Sequence, residues 1–253
     1  MKTPFEVAGE KLSQVFAEVI SKVKPGVSLL ELEKETVSLI KKAGGKASFK
    51  MVSGYDWATC INLNEGIVHG IPNERKIRSG DVVSLDMGLF WKGWHSDMAY
   101  TLQVGKKSSE ISSFLEAGKK ALELAILQAL PGNRVGNISA VIQKTIGEAS
   151  CACLPELTGH GIGQKLHQEP WVPGVVLRPI EKTPLLKEGM GLAIEVIYTR
   201  GKPRMKTEAD GWTISTQDGK ISALFEKTIL VSEKEFKTIT PFKFAQERTP
   251  GGN

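Results

Sequence analysis

Cysteine, histidine and tyrosine are scarce in this chain of 253 residues, which has 3 Cys, 4 His and 3 Tyr. Three thiols (Cys60, Cys151 and Cys153) cannot build a closed disulfide framework. A low, odd count without an export signal predicts reduced thiols in the cytoplasm. Cys151 and Cys153 have no partner pair elsewhere, so burial is a better reading for them than a metal site. No apolar run approaches the roughly 18 residues of a membrane span, which excludes a membrane partner. The first turns, "MKTPFEVAGEKLSQ", carry acids and polar residues and do not read as a signal peptide. The net charge is +5, but the lysines come as scattered pairs, with no arginine-rich stripe and no interleaved aromatics. That excludes a dedicated nucleic-acid binder and leaves only weak attraction to a polyanion such as a ribosome.

The chain is 41% hydrophobic and 24% charged, ordinary for a globular protein that can bury a large core. Phe5, Leu12, Val15, Phe16, Val19 and Val23 recur on one face of an N-terminal helix, which Pro25-Gly26 ends. Ser28 to Glu31 fits a capping box for a second helix ending near Gly44-Gly45. Helices are expected again over about 109–130, up to Pro131-Gly132, and over about 138–149. Strands are expected over 82–91, 94–104, 192–199 and 221–231, the first two joined by a tight turn at Lys92-Gly93. The order helix, helix, strands thus occurs twice. The segments "IRSGDVVSLDMG" and "LKEGMGLAIEVI" also match, each placing a carboxylate (Asp86, Glu195) at the same point of an apolar strand. The expectation is an α+β fold, an antiparallel sheet covered by helices, made as one unit over 1–244 from two copies at about 5–104 and 109–231. A flexible polar tail is expected over 245–253.

If Lys92-Gly93 is a two-residue turn, facing positions sum to 185. Asp86 then faces Ala99, and Asp97, two residues away, projects from the same side. Two like charges on a largely buried face are costly unless a cation neutralises them. A pseudo-two-fold brings the Glu195 strand to the same centre, and Glu226 interrupts another apolar strand, "ISALFEKTILV". Four such acids predict a site carrying more than one positive charge. His160, between two glycines, is the best candidate for a nitrogen ligand, whereas His95 beside the hairpin turn is read as a surface residue. One imidazole and four carboxylates suit manganese, iron(II) or cobalt, as two ions about 3.5–4 Å apart.

At these residues the sequence resembles the type I, bacterial methionine aminopeptidases of the "pita-bread" metallopeptidase fold. The stretches "NEGIVHGIP", "VVSLDMG", "HSDMAYT", "GHGIGQKLH", "AIEV" and "ALFEKTIL" carry the resemblance, which runs from about Phe5 to Phe242. It implies a dinuclear metal site between the halves: Asp86 on one ion, His160 and Glu195 on the other, Asp97 and Glu226 bridging. It implies that His69 and His167 contact substrate and stabilise the oxyanion, that Glu195 carries a proton, and that Tyr55, Cys60 and Trp212 form the methionine pocket. The implied activity is removal of N-terminal methionine from peptides and nascent chains with a small second residue, by a monomer in the cytoplasm. Val196 stands where the family usually has proline after the glutamate, Gln168 where it has glutamate, and Leu166 and Val52 where it has aromatics. Two rival readings are a Xaa-Pro aminopeptidase or dipeptidase, whose usual extra N-terminal domain does not fit in 253 residues, and a non-catalytic binding protein of the same fold.

Overall fold

The computed structural model describes residues 1–242; the tail expected at 245–253 lies outside them. Helices α1 (Pro4–Ile20) and α2 (Leu29–Lys42) precede β1 (Lys46–Ala47), β2 (Thr59–Leu63), β3 (Gly66–Val68), β4 (Val82–Trp91) and β5 (Trp94–Gln103). Helices α3 (Ser109–Ile126) and α4 (Val135–Glu148) precede β6 (Ala152–Cys153), β7 (Thr158–Gly161), β8 (Gln168–Pro173) and β9 (Gly191–Thr199). The last strands are β10 (Met205–Thr207), β11 (Ile214–Thr216), β12 (Ser222–Val231) and β13 (Phe236–Thr238). This is the α+β, pseudo-two-fold architecture expected.

Local chemistry sets most boundaries. Thr3 and Ser28 cap α1 and α2, and Glu6 and Glu31 reach back to the cap N–H groups. Lys92 (φ 46°) and Gly93 (φ 88°) take the two left-handed positions of a tight hairpin turn, and every β4–β5 pair sums to 185. The two helices expected to run up to Pro-Gly pairs stop earlier, at Ile20 and Ile126, and continue as turns. Helix α4 starts three residues before the expected Ile138. Its cap is Arg134, a residue type without capping signal, and Asn137 one turn in accepts a hydrogen bond from the Arg134 N–H at 2.8 Å.

One sheet of ten strands runs β1-β4-β5-β12-β9-β7-β8, with β2, β6 and β13 on β4, β9 and β12; a smaller sheet is ordered β10-β11-β3. The helices cover one face of the large sheet. Met87, Met98, Val196, Tyr198 and Phe225 point into this layer among Leu12, Phe16, Leu122 and Ala125, all buried. Side chains alternate, so Asp86, Asp97, Glu195 and Glu226 fall on the other face. The buried carboxylate of Glu33 on α2 fixes the start of β2 by accepting from Ala58 N (2.8 Å), Thr59 N (3.0 Å) and Thr59 Oγ1 (2.7 Å). Glu33→Ala leaves those donors unsatisfied in a dry site and is expected to cost about 3 kcal/mol, read as a lower midpoint in urea unfolding.

Candidate metal centre and substrate cavity

Strand register alone assembles the acids. Cys60 pairs with Asp86, Asp86 with Ala99, Ala99 with Glu226, and Glu226 with Glu195, a single row across five strands. Asp97 stands two residues from Ala99, and His160 pairs with Ala193, two residues from Glu195. All therefore face one side. The local two-fold passes between Ala99 and Glu226. It relates Asp86 to Glu195, but it relates Asp97 to Leu224 and Glu226 to Ala99, so the second pair of acids breaks the symmetry.

At this seam the β5–β12 ladder is only Glu226↔Ala99 and Lys227↔Met98. On either side a threonine hydroxyl replaces the backbone bonds. Thr228 Oγ1 accepts from Asp97 N (2.9 Å) and donates to Asp97 O (2.7 Å). Thr101 Oγ1 accepts from Leu224 N (2.9 Å) and donates to Leu224 O (2.8 Å). Thr101 and Thr228 each follow a row residue by two.

Asp97, His160 and Glu226 offer ligand atoms all within 4.8 Å of one another, and Asp86 and Glu195 line the same cavity of about 340 Å³. Buried Oδ1 atoms of Asp86 and Asp97 have no hydrogen-bond partner, although buried acceptors are normally satisfied. Burial, and then the neighbouring carboxylates, push Asp86 and Glu226 well above the carboxylate range. Burial raises Asp97 to about 7, and burial with the Asp97 charge raises Glu195 to about 8. Burial, with His167 nearby, lowers His160 to about 4, leaving a neutral imidazole free to ligate. Orphaned oxygens, crowded acids and a neutral imidazole fit divalent metal.

Without metal these carboxyls hold protons in the folded state that the unfolded chain releases near pH 4. Their stabilising contribution is present below that range and is lost as pH rises through about 7 and 8. In chelator, Tm should fall by several degrees between about pH 5.5 and about pH 8.5, because each 1 kcal/mol moves Tm by about 2–4 °C at this size. Excess divalent metal should restore Tm at the upper pH and do much less at the lower. A chelated Tm that rises with pH would contradict the burial of these acids.

Glycines bring His160 in. A Cβ on Gly159 would meet Ala193 O at 2.5 Å, and one on Gly161 would meet Glu169 O at 2.4 Å. The ring of His167 lies 4.5 Å from that of His160, at 79°. His69 takes a left-handed backbone (φ 57°) after β3, and its ring stands edge-on to Trp212 at 6.4 Å. Burial lowers both His69 and His167. Tyr55 packs on Trp212 at 5.1 Å; its hydroxyl donates to Thr59 O (2.8 Å) and lies 3.2 Å from Cys60 Sγ. Burial pushes the Tyr55 and Cys60 groups upward, so both stay neutral. Phe49 and Val52 close this end of the cavity. Leu166 is buried in the same cluster, outside the cavity lining.

The structure thus brings all ten sequence-derived site residues (Tyr55, Cys60, His69, Asp86, Asp97, His160, His167, Glu195, Trp212 and Glu226) to one cavity. Phe49, Val68, Leu157, Thr158, Trp171 and Ile197 also line it and were not singled out; of these, Val68 and Ile197 sit inside quoted stretches. His95 is a correction. It is not at the surface but 5% exposed, with Nδ1 2.9 Å from Ser48 Oγ, its backbone N–H donating to Gly163 O at 2.7 Å and its ring 4.7 Å from that of Phe90. The loop before β8 folds over the turn end of the hairpin, and a local reading could not anticipate that cover. Cys153 is buried and Cys151 half-buried, both as free thiols.

The chain is 39% identical to Methionine aminopeptidase 1 of Bacillus subtilis over 94% of its own length and 98% of that protein's. It is 40% identical to Methionine aminopeptidase of Aquifex aeolicus, over 88% of this chain and 91% of the other. The crystal structure of methionine aminopeptidase from Thermotoga maritima superposes with a TM-score of 0.89 at 34% identity, covering 94% of this chain and 98% of that one. Prolidase from Pyrococcus furiosus shares the fold, with a TM-score of 0.75 at 22% identity, covering 95% of this chain and 64% of that one. The model of metallopeptidase family M24 matches residues 5–233. The chain belongs to metallopeptidase family M24.

Proposed function

We propose that this protein hydrolyses the first peptide bond of chains beginning with methionine followed by a small residue. The observation that carries the reading is a single cavity lined at once by a buried acid cluster and by apolar side chains. Tyr55, Cys60, Phe49 and Trp212 enclose a slot beside the acids, suited to an unbranched, polarisable thioether. Val68, Leu157 and Ile197 crowd the cavity wall, and a wall of this kind excludes a bulky second side chain by shape.

Asp86, Asp97, His160, Glu195 and Glu226 would hold two divalent ions, with cobalt, manganese or iron(II) suiting this oxygen-rich set. When bound, such ions acidify the attacking water and polarise the scissile carbonyl. The neutral rings of His69 and His167 donate hydrogen bonds to the developing oxyanion and orient the peptide nitrogen. Glu195 takes the proton of the attacking water and delivers it to the leaving amine. We read residues 1–244 as one catalytic unit of two copies, about 5–104 and 109–231, working as a monomer in the cytoplasm with weak affinity for the ribosome.

The test is kinetic. Stripped protein should be inactive and should regain turnover of a Met-Ala-Ser peptide when given Fe(II), Mn or Co separately. Met-Lys-Ser should be cleaved at least about 10²-fold more slowly. Hydrolysis of Ala-Pro in place of Met-Ala-Ser would transfer the reading to a dipeptidase, and metal binding without turnover would favour a binding protein.

A further inference from the structure

A groove leaves the cavity at its Glu195 side. The cavity over the acids shares Glu156, Thr158 and Trp171 with a second cavity of about 460 Å³, which runs out between β8, the first turn of α4 and the segment 175–178. Thr158 pairs with Pro173. Pro173, Trp171 and Glu169 therefore face the same side of the sheet as the acids, while Val172 points to the helices and is fully buried. The carboxylate row thus continues as a surface onto the last strand of the sheet.

That surface is apolar where water reaches it. Trp171, Val176 and Leu177 are 46%, 38% and 62% exposed, and all line this one groove. Single exposed apolar side chains are ordinary, whereas a contiguous group opening into a binding cavity marks contact with a ligand. The edge of β8 is a poor template for an added strand. Pro170 and Pro173 have no N–H, and the Trp171 N–H donates to Glu169 Oε2 at 3.1 Å. Recognition here falls to side chains.

We infer that this groove is a subsite for the third to fifth residues of the substrate peptide and favours aliphatic or aromatic side chains there. The inference rests on the reaction proposed above. With methionine in the Tyr55–Trp212 pocket and the scissile bond over the acids, the chain leaves past Thr158. Two strand spacings separate Glu195 from β8, about 10 Å, which an extended chain crosses in about three residues. The third residue then meets Trp171, and the next two meet Val176 and Leu177.

The experiment compares Met-Ala-Ser, Met-Ala-Ser-Leu-Phe-Ser and Met-Ala-Ser-Gly-Gly-Ser on the metal-loaded enzyme and on Leu177→Ser. Leu177 lines only the groove and is mostly exposed, so the fold does not depend on it. The wild type should prefer the Leu-Phe hexapeptide over the Gly-Gly one by about tenfold in kcat/KM, chiefly through KM. Leu177→Ser should remove most of that preference while cleaving the tripeptide as fast as the wild type. Equal rates on the two hexapeptides, or a preference that survives Leu177→Ser, overturn the subsite alone. No turnover of any of the three peptides overturns the proposed reaction, and the subsite with it.

Discussion

Asp97→Ala and Glu226→Ala are each expected to lose at least about 10³-fold in kcat/KM, some 4 kcal/mol, together with at least one bound ion per chain. Both side chains are buried and belong to the triplet whose ligand atoms lie within 4.8 Å of one another. Neither has a symmetry-related acid to replace it: the local two-fold relates Asp97 to Leu224 and Glu226 to Ala99. Removing either leaves the remaining acids with less charge to offer and a water-filled gap where an ion would be clamped. Misfolding is a separable outcome. In the metal-free protein the acids repel one another, so deleting one relieves repulsion. Metal-free Asp97→Ala should therefore match or exceed the metal-free wild type in Tm at about pH 8. Metal analysis and thermal denaturation on the same samples distinguish the cases. Full metal content with near-normal turnover in either variant would remove Asp97 or Glu226 from the site.

The same acids show how far sequence reasoning reached. The hairpin register was legible because a two-residue turn fixes every pair on both strands, and the observed pairs follow the 185 sum throughout. The match of Asp86 with Glu195 was legible because apolar strands rarely carry a carboxylate. Cross-strand placement was not. That Glu226 pairs with both Ala99 and Glu195 depends on β12 lying between β5 and β9, an arrangement set by packing over the whole chain. The hydroxyls of Thr101 and Thr228, which stand in for backbone bonds at that seam, have no signature, because threonine is common in strands. The burial of His95 depends on a loop distant in sequence, through Gly163. The early ends of α1 and α3 reflect a weaker rule: Pro-Gly forbids continuation but does not require a helix to run up to it.

His69→Ala is expected to behave unlike the acid variants: kcat/KM falls by roughly 10²-fold, about 2.7 kcal/mol, while metal content stays that of the wild type. The reason lies in its position. His69 is reached from β3, in the small sheet above the acids, whereas the five candidate ligands all stand on the large sheet. Its ring is lowered by burial and then by His167, so it is neutral at physiological pH and can donate one N–H to an oxygen that gains charge during the reaction. Loss of an interaction that strengthens as charge develops lowers kcat more than it raises KM. The backbone adds a complication, since φ at His69 is 57°, a conformation that alanine takes less readily than histidine or asparagine. His69→Asn keeps a residue suited to that backbone and retains a short donor. It should be as stable as the wild type and recover part of the loss, which separates a missing donor from a displaced strand. His167→Ala, whose ring packs on that of the candidate ligand His160 at 4.5 Å, should lose a similar factor. Loss of metal along with activity in His69→Ala would move His69 into the ligand shell. An unchanged kcat in both His69 variants would show that the oxyanion is stabilised from elsewhere in the cavity.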